Sequence, residues 1–143
     1  MPAYTSVTIQ GLGIYTPARN VTNDDLSQVM ATTDEWIRTR TGIAARRIAA
    51  EGECPSDLGV KAAQAAMADA GVGIEDIDLL IVATMSADML FPSTACVVQG
   101  KLGFGQITAF DITAACSGFL YALETATRML QSGAYRKALV IGA

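Results

Sequence analysis

Hydrophobic positions fall into short aliphatic runs separated by stretches of helical spacing. Residues 7–14 (Val7-Thr8-Ile9-Gln10-Gly11-Leu12-Gly13-Ile14) alternate and then break at glycines, which predicts a strand ending in a turn. Thr22 followed by Asn23, Asp24 and Asp25 predicts a capped short helix running to about Met30. Thr33-Asp34-Glu35-Trp36 repeats that start signal, and Gly42 ends the segment. A longer, alanine-rich helix is predicted from Ser56 to Ala70, stopped by Gly71. Residues 77–84 are a continuous aliphatic run, the pattern of a parallel strand buried on both faces. Residues 93–102 read as a helix closed by Gly103, residues 107–112 as a third strand, and 138–142 as a fourth. Between these strands, Phe119, Leu120, Leu123, Ala126, Thr127 and Leu130 keep helical spacing over residues 116–131, and Glu124 and Arg128 form an i, i+4 pair on another face. The order β, helices, β, α, β, α, β predicts an α/β layered domain with a largely parallel sheet and helices on both faces.

The length of 143 residues fits one domain, taken here as residues 1–143. A hydrophobic fraction of 51% against 17% charged excludes a disordered acidic chain. Mean hydropathy of +0.34 is high for a domain this small and predicts apolar surface that a partner covers. No apolar run approaches the roughly 18 residues of a membrane-spanning helix, so no membrane role is expected. The start, residues 1–5, has no basic region followed by an apolar one, so no signal peptide is expected. The net charge of −4 argues against nucleic-acid binding. The chain ends just after a strand, where the next sheet neighbour usually follows, so it is expected to be part of a longer fold.

Two counts bear on chemistry. There are no histidines, so this chain supplies no imidazole base or ligand. The three cysteines, Cys54, Cys96 and Cys116, are widely spaced and form no CxxC. Neither a disulfide framework nor a zinc site fits, and free thiols in a cytoplasmic setting are expected.

The strongest local signal is Phe110-Asp111-Ile112-Thr113-Ala114-Ala115-Cys116-Ser117-Gly118-Phe119: a buried strand, a turn of small residues, and a cysteine opening a long helix. Ligand sites in open α/β sheets lie beyond the carboxyl ends of the strands. A thiol at a helix N-terminus meets the positive end of the macrodipole, which favours a nucleophilic thiolate, and nearby N–H groups can stabilise an acyl oxyanion. The competing reading is a cysteine simply packed beneath a turn. Cys96, among apolar neighbours in a helix, reads as core, and Cys54 lies in a polar loop. A second signal is electrostatic. Arg38, Arg40, Arg46 and Arg47 follow Trp36, the chain's only tryptophan. Such a set suits a nucleotide-bearing ligand, an acidic protein partner, or merely a solvated basic face beside a packed tryptophan. Gly11-Leu12-Gly13 lacks the third glycine of a dinucleotide fingerprint, with Thr16 in its place.

These stretches resemble the β-ketoacyl-acyl carrier protein synthase III family, initiating condensing enzymes of the thiolase-like superfamily. The residues that carry the resemblance are 11–17 (Gly-Leu-Gly-Ile-Tyr-Thr-Pro), 33–43 (Thr-Asp-Glu-Trp-Ile-Arg-Thr-Arg-Thr-Gly-Ile), Phe91-Pro92-Ser93 and 111–119 around Cys116. The resemblance implies a thiolase-like fold of which this chain is the first of two related halves, the C-terminal half being absent. It implies a decarboxylative Claisen condensation of an acyl-CoA starter with malonyl-acyl carrier protein, with no cofactor. Cys116 matches the acyl-accepting nucleophile. Trp36 and Arg40 match residues that meet the adenine and phosphate of CoA, and Thr32 lies close to that site. Phe91 matches a residue that reaches the partner's acyl pocket in the family's homodimer. The family's histidine and asparagine lie in the second half and are missing here, so this chain alone is expected to be inactive. Relatives that make esters, amides or quinolone precursors, and a noncatalytic fragment, are the alternatives.

Overall fold

The computed structural model describes residues 6–143. Residues 1–5, on which the absence of a signal peptide was judged, lie outside the described residues. Thr16–Glu53 forms one compact unit, and Cys54–Ala143 with the chain leading up to Tyr15 forms a second.

In the smaller unit, strand β1 (Arg19–Thr22) pairs antiparallel with β2 (Ala45–Ile48), Arg19 opposite Ile48 and Thr22 opposite Ala45. Helix α1 (Asn23–Ser27) follows β1 directly. Its cap is reciprocal: Thr22 Oγ1 accepts the Asp25 N–H at 3.1 Å, and the Asp25 carboxylate accepts the Thr22 N–H at 2.8 Å. The helix ends at Ser27, short of Met30. Helix α2 (Asp34–Thr41) starts where Thr33 Oγ1 accepts the Trp36 N–H at 3.1 Å and stops at Gly42, whose φ of 73° suits a residue without Cβ. Asn23, only 1% exposed, ties the unit together. Its amide donates to Asp34 at 2.8 Å and to the Ile43 carbonyl at 2.8 Å, and its oxygen accepts from Arg46 at 2.6 Å.

The larger unit is built on a parallel sheet. Helix α3 (Pro55–Ala70) leads to β3 (Leu79–Ala83), α4 (Thr94–Leu102), β4 (Thr108–Ile112), α5 (Gly118–Gln131) and β5 (Ala138–Gly142). The strand order is β4-β3-β5, with Leu79 opposite both Thr108 and Ala138. Central β3 is buried along its whole length, as its unbroken aliphatic run predicts. Its side chains alternate between two cores. Leu80 and Val82 pack with Ala63 and Met67 of α3, Ala95 and Val98 of α4, and Leu139 and Ile141 of β5. Leu79, Ile81 and Ala83 pack with Ala122 and Ala126 of α5. Each full burial of a Leu, Ile or Val contributes on the order of 1.5–3 kcal/mol, so this strand anchors both faces. The result is the expected three-layer α/β arrangement.

Three expectations are corrected. Residues 7–14 form no strand; they run along α3, with Leu12 N–H donating to Asp69 at 2.9 Å. A side chain at Gly11 or Gly13 would collide with the α3 backbone at Ala66 and Ala62, so these glycines serve close approach to a helix. The face of α5 that meets the sheet is the small-residue row Gly118, Ala122 and Ala126, while Phe119 and Leu120 of the predicted apolar stripe are exposed. Phe119, Leu123, Thr127 and Leu130 line a groove of about 930 Å³, bounded by residues 6–13 and by β5. Cys96 is exposed rather than core, because α4 buries Thr94, Ala95 and Val98 on its other side.

Four carboxyls are held below the usual range by donors: Asp25 by the Thr22 hydroxyl, Asp34 by the Asn23 amide and Arg38, Asp57 by Lys101, and Asp76 by the Gly73 N–H. Depressed folded-state values mean that their stabilisation is complete above the unfolded carboxylate value of about 3.9 and is lost as pH falls through the lower folded values. The thermal midpoint is expected to fall on acidification below about pH 4. A midpoint that rose over that range would contradict this wiring.

Candidate active site

Strand β4 ends at Ile112, and after two intervening residues the chain enters a single 3₁₀ turn, Ala115–Ser117, that runs into α5. Ala115 has φ of 46°, the left-handed region in which an L-residue pays about 1–2 kcal/mol. It is the one non-glycine residue with positive φ among the described residues. The turn is closed by Ser117 N–H to the Ala114 carbonyl at 3.2 Å and by Gly118 N–H to the Ala115 carbonyl. Those two N–H groups are committed to the turn, so oxyanion stabilisation does not fall to them. Gly118 is buried where α5 begins against β3, and a Cβ there would make an ordinary van der Waals contact, 3.4 Å from Ala83 Cβ. This strand–turn–helix unit places Cys116 exposed beyond the carboxyl ends of parallel strands, at the N-terminal end of a helix whose first turn has no acidic residue. A cysteine packed beneath the turn is thereby excluded.

The strand behind this turn is braced by Asp111. Its carboxylate accepts the N–H groups of Thr94 and Ala95, each at 2.7 Å, at the start of α4. Ser93 Oγ accepts the Cys96 N–H at 3.3 Å. Asp111 was legible only as part of the cysteine motif. Its bracing role needed the helix that β4 packs against.

Phe91 lies on the loop between β3 and α4, 87% exposed, and precedes a cis Phe91–Pro92 bond. Met85, Met89 and Leu90 on the same loop are also exposed.

The other candidates lie in the smaller unit. Trp36 is 55% exposed, and the Arg40 guanidinium carbon sits 4.9 Å from its ring centroid. Tryptophan and arginine one helical turn apart on α2 thus form an exposed stacked pair. A packed tryptophan is excluded. The remaining arginines are held within the unit: Arg38 on Asp34 at 2.7 Å, Arg46 on Asn23 and the Val21 carbonyl, and Arg47 on the Ala18 carbonyl at 2.9 Å. Thr32 Oγ1 is buried without a hydrogen-bond partner, an unmet acceptor and donor next to the start of α2. No cluster of three metal-ligating side chains occurs among the described residues, and no helix among them is long and apolar enough to cross a membrane.

The parallel sheet between α3/α4 and α5, with an exposed cysteine on a strained turn at its carboxyl end, is a thiolase-type α/β half-fold. The family model of 3-oxoacyl-[acyl-carrier-protein (ACP)] synthase III matches residues 110–143, which run from the end of β4 through the cysteine turn and α5 to β5. Beta-ketoacyl-[acyl-carrier-protein] synthase III of Neisseria gonorrhoeae is 57% identical over 136 residues, 94% of this chain and 42% of that protein. The crystal structure of 3-oxoacyl-[acyl-carrier-protein] synthase III from Aquifex aeolicus superposes with a TM-score of 0.91 at 48% identity, covering 94% of this chain and 44% of that one. The priming beta-ketosynthase of the R1128 polyketide pathway superposes with a TM-score of 0.93 at 37% identity, covering 99% and 42%. Over almost its whole length the chain is similar to the N-terminal part of 3-oxoacyl-[acyl-carrier-protein] synthase III proteins, and it spans under half the length of the relatives it matches.

Proposed function

We propose that this chain is the nucleophile-bearing half of a cytoplasmic condensing enzyme that starts fatty-acid synthesis. The observation that carries the reading is the exposed Cys116 on its left-handed turn beyond β4. In the first step the Cys116 thiolate attacks the thioester carbonyl of an acyl-CoA. The carbonyl carbon–sulfur bond to CoA breaks, and the CoA thiolate leaves and takes up a proton. In the second step malonyl-acyl carrier protein loses CO₂, and the resulting carbanion attacks the acyl-Cys116 carbonyl. The Cys116–acyl bond breaks, returning the thiolate and leaving a β-ketoacyl-carrier protein. The histidine and asparagine that stabilise the developing negative charge come from the second half of the fold.

The stacked Trp36–Arg40 pair receives CoA, adenine on the exposed indole and phosphate on the guanidinium, with Thr32 beside them. Phe91 reaches the acyl pocket of a second copy in a homodimer, which accounts for a large apolar side chain left 87% exposed here. No cofactor takes part; acyl-CoA and acyl carrier protein are substrates.

The test is to incubate the complete enzyme with labelled acetyl-CoA and map the label by peptide mass. Label on the Cys116 peptide, absent from Cys116→Ala, is the expected result. Label that persists in Cys116→Ala, on Cys54 or Cys96, overturns the assignment. The likeness to a polyketide priming ketosynthase favours, as a second reading, the same chemistry loading a polyketide starter. A preference for starters longer than acetyl would support it.

A further inference from the structure

The loop from Thr84 to Ser93 combines an unusually apolar tip with an unusually polar attachment. Leu90 is 103% exposed, Phe91 87%, Met85 65% and Met89 48%. Exposed hydrophobic side chains in a loop ordinarily gain nothing from being held still. Here the loop is tied down at three points. At its start, buried Thr84 accepts the Ser86 N–H at 3.1 Å. At its end, Asp111 and Ser93 hold the first turn of α4. Between them, one residue before the apolar tip, the Asp88 carboxylate receives both the N–H of Ser56, at 2.9 Å, and the Ser56 hydroxyl.

Ser56 is fully buried at the start of α3, and its hydroxyl also accepts from the Lys101 ammonium at 2.6 Å. Lys101 in turn donates to Asp57. The loop is therefore fastened to the first turn of α3 and the last turn of α4 by a connected, charge-assisted network. Such networks fix geometry more than they add net stability. No chemistry proposed for Cys116 uses Asp88, Ser56 or Lys101.

We propose that Asp88, through its double hydrogen bond to buried Ser56, is a positioning residue that sets the height of the Met89–Phe91 tip and thereby the length of starter acyl chain the enzyme accepts. The proposal rests on the reading that Phe91 enters an acyl pocket. A pocket wall displaced by about a methylene's width changes discrimination between acyl chains by tenfold or more, while the reacting thioester is untouched. Asp88→Ala removes both bonds and leaves the buried Ser56 N–H without a partner. Asp88→Asn keeps the geometry: its carbonyl accepts the Ser56 N–H, and its amide donates to the Ser56 hydroxyl, which retains a free lone pair for it.

The experiment compares kcat/KM for acetyl-CoA and for a series of longer and branched acyl-CoAs in the complete enzyme and in Asp88→Ala, Asp88→Asn, Ser56→Ala and Phe91→Ala. Acylation of Cys116 by acetyl-CoA and the melting temperature are measured alongside. The expected result is a shift of about tenfold in the chain-length ratio for Asp88→Ala, in the same direction as for Phe91→Ala, with Asp88→Asn at the wild-type ratio. Ser56→Ala, which keeps the N–H and loses only the hydroxyl, is expected to fall between them and decides the matter should Asp88→Ala not fold. A shift in Phe91→Ala with none in Asp88→Ala or Ser56→Ala overturns the positioning role and leaves the Phe91 reading intact. No shift in Phe91→Ala overturns both. Persistent acylation of Cys116 in Asp88→Ala, Asp88→Asn and Ser56→Ala separates either failure from a failure of the nucleophile.

Discussion

Cys116→Ser in the complete enzyme is expected to lower acyl uptake from acyl-CoA on the order of a thousandfold or more, with the melting temperature unchanged. A hydroxyl is a far poorer nucleophile than a thiol near neutral pH, and this site has no adjacent histidine from its own chain to activate it. The swap exchanges one atom for another of similar size on a side chain that this chain's own fold leaves exposed, so the expected change in stability is less than about 0.5 kcal/mol. Kinetics of CoA release, paired with a thermal melt, separate the two effects. Uptake within tenfold of wild type would mean that another group accepts the acyl chain.

The second large effect is structural. Asp111→Ala is expected to cost about 3–5 kcal/mol, a large part of the stability of an ordinary domain. Its carboxylate meets the N–H groups of Thr94 and Ala95, both on residues with no exposed surface, and no other acceptor replaces it in the alanine variant. Hydrogen bonds to a charged acceptor contribute about 1.5–3 kcal/mol each, and buried N–H groups left unmet cost more than the bonds themselves were worth. Asp111→Asn, which keeps one acceptor oxygen, is expected to lose less than the alanine variant. Denaturant midpoints order the three proteins, and equal midpoints for wild type and Asp111→Ala would refute the brace. The effect reaches function because β4 carries the Cys116 turn.

What could be read from the chain was what local chemistry dictates. The aliphatic run through Leu79–Ala83 announces a strand covered on both sides, Thr33 and Gly42 bracket α2, and Gly71 and Gly103 end α3 and α4. The strand-to-cysteine turn was legible because its small residues sit between two strongly patterned elements. The strained φ at Ala115 was not, since alanine gives no local sign of it. Residues 7–14 alternate as a strand does, yet strand pairing is decided by distant neighbours, and here the glycines bring the backbone against α3 instead. β1 and β2 escaped notice for the opposite reason: Arg19-Asn20-Val21-Thr22 and Ala45-Arg46-Arg47-Ile48 are mostly polar, and their pairing is held by cross-strand bonds and by Asn23. The arginine cluster read as one basic surface. Three of its members turned out to hold the smaller unit together, a distinction that depends on which carbonyls and carboxylates stand opposite.

The stacked pair on α2 has a spectroscopic corollary. The chain's single indole stands half in water under a guanidinium, so its emission reports on whatever displaces or joins that cation.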